Sequence, residues 1–166
     1  MIAAVVVAVV AVGVVLGIAA TRRTPTQPVA IASVPAPQAD SPECRRLLEA
    51  LPAALGDFRR ATALDPVPAG TAAFRAGTGG DAVILRCGLD RPADFVVGRP
   101  IQIVNQVQWF RLDDPDTDRS TWVSVDRPVY VALTLPTGSG PTPIQTMSDL
   151  IARTMPSVPV KPGPAG

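Results

Sequence analysis

Cys44 and Cys87 are the only cysteines in the chain, and the residues around each turn it toward an interior. Ser41-Pro42-Glu43 is a helix start: serine can cap, proline fits the first turn, and glutamate favours the positive end of the dipole. Cys44, Leu47, Leu48 and Leu51 then recur at helical steps and share one face, until Pro52 limits the regular part. Ala82-Val83-Ile84-Leu85 reads as a short apolar strand that delivers Arg86 and then Cys87. A bridge, two separate core thiols and a redox pair are the three readings. A redox pair usually takes C-x-x-C spacing, whereas 42 residues intervene here. A Cys44–Cys87 disulfide closes a loop of 44 residues counted inclusively, on the order of 4 kcal/mol in the chain-entropy model. The bridge is the expectation, and it implies an oxidising compartment.

The second constraint is MIAAVVVAVVAVGVVLGIAA, residues 1–20, which carries no charged and no strongly polar side chain. Twenty residues at roughly 1.5 Å each span about 30 Å, the thickness of a bilayer's hydrocarbon core. Residues 1–20 are therefore expected to form a transmembrane helix or uncleaved signal anchor, with the lipid bilayer as the partner of residues 2–20. A secreted protein after cleavage of a signal is the alternative, although the run exceeds the roughly 7–15 residues of a signal core. Arg22-Arg23 behind the run would place the following chain in the cytoplasm. The cysteine pair argues for the other side and is given more weight. The expected location is the cell membrane, single-pass, with an extracytoplasmic C-terminal domain.

Residues 21–41 hold a proline-rich stretch with the composition of a linker. Residues 42–156 are expected to be one α+β domain, and residues 157–166 a disordered tail. Within the domain, Gly56 to Asp81 reads mostly as turn and loop material. Four strands follow by pattern: Ala82–Cys87, Pro100–Phe110, Thr121–Asp126 and Pro128–Leu135. In the second, Ile101, Ile103, Asn105, Val107 and Trp109 alternate with Gln102, Val104, Gln106, Gln108 and Phe110. Asp126-Arg127-Pro128 links the last two strands as a hairpin. Thr142-Pro143-Ile144-Gln145 is a capping-box start, and Ile144, Met147, Leu150 or Ile151, and Met155 make the apolar stripe of the helix behind it. The expected fold class is α+β: a small two-layer sandwich of about four mostly antiparallel strands with two helices, plus the N-terminal transmembrane helix.

Chemistry is narrowed mainly by absence. There is no histidine, so the commonest general base and metal ligand are both missing. Net charge is +1, without the basic footprint of a nucleic-acid binder. Asp114-Pro115-Asp116-Thr117-Asp118 begins like a calcium loop. Arg119 and Val125 then stand where glycine and a bidentate glutamate belong, so an acidic hairpin turn is expected. No metal, no cofactor and no catalytic residue is assigned. Trp109, Trp122, Tyr130 and Arg127 are the candidate surface-binding residues, the first three an aromatic platform of the kind that meets sugar or peptide.

Leu85-Arg86-Cys87-Gly88 with Arg91-Pro92, Val104-Asn105-Gln106-Val107-Gln108-Trp109, and Arg127-Pro128-Val129-Tyr130-Val131 together resemble an actinobacterial family of uncharacterised proteins, domain-of-unknown-function family 3515. The resemblance covers roughly Pro42 to Met155 and implies an envelope location without naming an activity. The expected function is a non-catalytic binding or accessory module of the cell envelope, with an envelope protein or cell-wall component as partner. A cell-wall-active hydrolase or transferase using carboxylates and arginines such as Arg86 or Arg127 is the alternative.

Overall fold

The computed structural model describes residues 27–77 and 79–165. The expected span, residues 1–20, lies outside them. Among the described residues no helix is long and apolar enough to cross a membrane. In chain order the elements are α1 (Pro42–Glu49), β1 (Ala54–Leu55), β2 (Phe58–Ala61), β3 (Thr71–Arg75), β4 (Ala82–Leu89), β5 (Gln102–Val104), β6 (Val107–Asp114), β7 (Arg119–Ser124), β8 (Tyr130–Pro136) and α2 (Thr142–Thr154). The eight strands form one sheet in the order β1-β2-β3-β4-β8-β7-β6-β5, and every neighbouring pair is antiparallel.

The expected α+β sandwich with about four strands is thus corrected to a single eight-stranded antiparallel sheet carrying two short helices. Two local causes account for β3 and for the split of one expected strand into β5 and β6. β3 reads Thr-Ala-Ala-Phe-Arg, alanines of weak strand preference, and is held as a strand by pairing with β2 and β4 on either side. The stretch Pro100–Phe110 is two strands, because Asn105 and Gln106 turn between them with φ of 42° and 67°. Two consecutive left-handed residues make the tight connection whose twist suits a hairpin. The turn also reverses the face pattern. Val104 pairs with Val107 and Ile103 with Gln108, so Ile103 no longer shares a face with Val107 and Trp109.

Alternation along the paired strands gives the sheet two different faces. Phe74, Val83, Leu85, Cys87, Trp109, Val131, Leu133 and Leu135 meet Cys44 and Leu47 of α1 and Ile144, Met147, Leu150 and Ile151 of α2 in the main core. α1 begins as its sequence indicates: the Ser41 side chain accepts from the Cys44 amide. α2 starts one residue earlier than its capping box suggests. Pro141 is the N-cap and makes no side-chain cap bond.

The opposite, outer face is covered by the two ends of the described chain. Residues 27–41, expected to be a spacer, run along β2, β3 and β4. Val29 and Ile31 pack on Ala73, Ala82 and Ile84. The Val29 amide donates to Thr62 O and its carbonyl accepts from the Leu64 amide. Arg75 donates to Gln27 O and Arg86 to Ala32 O. Residues 157–165, expected to be a loose tail, lie along the other half of that face. The Val158 amide donates to Asp126 O and the Gly163 amide to Phe95 O, beside a cluster of Phe95, Phe110 and Val125.

The Cys44–Cys87 disulfide is formed, with its Cα atoms 5.6 Å apart and both residues fully buried. It fastens α1 to β4, the strand that pairs with both β3 and β8. Gly88 follows at a bulge against β8 with φ of +89°, and a Cβ there would lie 2.3 Å from Ala39 N. Only glycine allows the N-terminal strap to pass so close. Two outcomes follow for stability, read by urea unfolding. Replacing both cysteines by serine should cost about 4 kcal/mol, from the loop-closure entropy of the 43-residue separation. Gly88→Ala should cost more than about 1 kcal/mol, since it adds both a strained φ and a backbone clash.

Candidate functional site

A groove of about 580 Å³ lies between the first turn of α2, the loop from Pro136 to Pro141 and the β6–β7 turn. Strand register builds its floor. Arg111 of β6 lies opposite Trp122 of β7, and Trp122 opposite Leu133 of β8, which places Trp122 on the helix-bearing face. There the sheet runs past the start of α2, and Trp122, Leu135, Val104 and Ile144 line an apolar base. Ser120, Thr137, Ser139 and Gln145 supply hydroxyl and amide groups around it.

Charged residues stand around this base, Arg111 and Asp113 as an ion pair. The Arg111 guanidinium stands 5.3 Å from the Trp122 ring centroid and donates from Nε to Asp113 Oδ1 at 2.7 Å. That arrangement covers one face of the indole with a cation. The indole Nε1 donates to Ser120 Oγ at 3.1 Å. Arg119 reaches across β8 to Asp81 Oδ1 at 2.9 Å and to Ala82 O. Asp114 braces the β6–β7 turn, accepting from the Thr117 hydroxyl and the Asp116 amide. The Thr117 bond, followed by the Asp116 amide, holds the Asp114 carboxyl below its usual value. Burial would have to push it the other way to make a general acid. Two arginines against the lining Asp113, Asp114 and Asp118 leave the groove one net negative charge. Among the described residues no group of three or more acids, cysteines or histidines could hold a metal ion.

The four residues nominated from the sequence do not form one platform. Trp122 lines the groove. Trp109 is fully buried, its Nε1 donating at 2.9 Å to Ser148 Oγ, which in turn donates to Ile144 O. Arg127 is also buried: it pairs with Asp126 Oδ2 at 3.0 Å and donates to Gln106 O at 2.8 Å. Tyr130 is half-buried beside a smaller cavity shared with Pro128 and Lys161. Arg86 is held under the N-terminal strap, its guanidinium pKa lowered by burial and then by the Arg119 charge. The groove's own arginines, Arg111 and Arg119, escaped the sequence reading. Their part in it depends on which strands pair and in what register, and no local pattern announces that.

The arrangement is suited to holding a ligand, with an indole floor for an apolar face and hydroxyls, amide and ion pairs for polar groups. A family model described as "Protein of unknown function (DUF3515)" matches residues 5–160. No curated protein and no solved structure matches the chain.

Two measurements check these placements. Arg127→Ala should lose about 3–5 kcal/mol of stability, because it leaves the Asp126 carboxylate buried without its partner. A surface contact residue would lose less than about 0.5 kcal/mol. Tyr130 is the only tyrosine, and burial raises its pKa while the Arg91 charge opposes the rise. Its phenolate absorbance should therefore titrate at higher pH in the folded protein than in urea. Its contribution to stability is complete below the unfolded value and is lost as pH rises through the folded one.

Proposed function

Because the chain belongs to the DUF3515 family, described as proteins of unknown function, no activity comes with membership, and we propose from the groove that it is a non-catalytic binding module of the cell envelope. The ligand is a glycan or peptide segment of the wall, laid against Trp122. One observation carries this reading: the indole of Trp122 lines the groove with the Arg111 guanidinium 5.3 Å from its ring centroid. An aromatic face beside hydroxyl, amide and paired ionic groups fits a weakly charged polymer with apolar and polar edges. A polyanion fits less well, since the groove itself is net negative.

The location is part of the same proposal. A buried disulfide belongs to an oxidising space. The uncharged run over residues 1–20 has the length and hydropathy to tether the chain at a bilayer. The domain then works outside the membrane, where the wall polymer is.

The test is co-sedimentation of the full chain, in neutral detergent, with purified peptidoglycan. Binding should be saturable and should weaken about tenfold, near 1.4 kcal/mol, in Trp122→Ala. Arg91→Ala, remote from the groove, should bind as the parent does. Absence of binding, or equal binding by Trp122→Ala, would defeat the proposal.

A further inference from the structure

The β5 edge of the sheet is unlike a protected edge. Edge strands normally carry charges or cover that prevent pairing with another chain. From Pro100 to Phe110 there is no charged residue. β5 is the terminal strand of the sheet, paired only with β6. Three exposed large apolar side chains sit on it and its approach: Val97 at 59%, Ile101 at 37% and Ile103 at 73%.

The hairpin register decides which backbone groups this edge offers. Across a two-residue turn the flanking residues, Val104 and Val107, form a hydrogen-bonded pair, and pairs then alternate. Gln102–Trp109 is bonded, and Ile103–Gln108 is not. In agreement, the Gln108 carbonyl accepts from the Val125 amide, away from β5. The N–H and C=O of Ile103, and by the same alternation those of Ile101, therefore point outward. The residues that present free backbone are the ones that present exposed isoleucine.

We propose that this edge is a self-association seam for a second copy of the chain, related by a twofold axis at Gln102. Antiparallel pairing about that axis sets Ile101 against Ile103 of the other copy in both directions, each pair exchanging its two main-chain bonds. All four isoleucines then lie on one face, and Gln102 meets its counterpart on the other. The seam brings no like charges together, so the strand is complementary to itself. A contact of so few residues buries less than the roughly 1,200 Å² of a stable complex. The association is weak and concentration-dependent, strengthened wherever copies are held close together.

The geometry supplies a position-specific probe. Gln102 faces its counterpart as a non-bonded pair with Cα atoms about 4.5 Å apart, within the roughly 4.4–6.8 Å of a disulfide. Full-chain Gln102→Cys in neutral detergent, under mild oxidant, should give a covalent dimer on non-reducing gels. Asp116→Cys, exposed on the β6–β7 turn, should give less than about a tenth as much. Ile103→Lys added to Gln102→Cys should lower the yield about tenfold by setting two ammonium groups in the seam. Its exposed position should leave circular dichroism unchanged. The proposal is overturned if Gln102→Cys stays monomeric, if Asp116→Cys crosslinks equally, or if Ile103→Lys has no effect on the yield.

Discussion

The Cys44–Cys87 bond is the constraint from which the rest of the arrangement follows. It joins the first helix to β4, whose neighbours are β3 on one side and β8 on the other. β1, β2 and β3 all lie within the loop the bond closes. With α1 pinned at Cys87, the helix-bearing face becomes the principal core, and α2 completes it with Ile144, Met147, Leu150 and Ile151. The bulge at Gly88 beside the bridge lets the N-terminal strap come down on the opposite face, with the Gln38 amide donating to Gly88 O. One covalent link and one glycine thus coordinate both sides of the sheet.

A sheet with helices on only one face leaves its other face to be covered by something else. Here the strap over residues 27–41 and the run over residues 157–165 divide that task. Their prolines suit it, since a chain crossing strands without forming a ladder loses little from a missing amide. The buried Asp126–Arg127 pair ties three pieces together: the β7–β8 link that contains it, the β5–β6 turn through Gln106 O, and the C-terminal run through Val158. The groove lies on the helix-bearing face instead, where the first turn of α2 and the Pro136–Pro141 loop rise beside the sheet.

What could be read in the sequence was what local pattern specifies. Ser41 capping, the Cys44 face, the apolar stripe of α2 and the strand that ends at Leu135 are all in place. β3 was hidden because its alanines gain their strand character from neighbours. The β5–β6 turn was hidden because Asn-Gln lacks the glycine that usually marks such a turn, and one missed turn reassigned the face of Ile101 and Ile103. The N-terminal strap read as a spacer because burial of Val29 and Ile31 is a property of the outer face, far away in sequence. Trp122 was nominated as a binding residue and does line the groove. Trp109 and Arg127 went to the interior, where Trp109 donates to Ser148 and Arg127 pairs with Asp126.

The closed loop also governs how the protein carries mechanical load. Tension applied from the N-terminal side first works against the strap, with its Val29 bridge and its clips to Arg75 and Arg86. Past Ser41 it passes from Cys44 straight to Cys87 through sulfur. The segment between them, comprising α1 beyond Cys44, β1, β2, β3 and most of β4, is by-passed and feels no pull along its backbone. A third of the domain is sheltered from stretching in this way, while β5 to β8, downstream of the bridge, take the force.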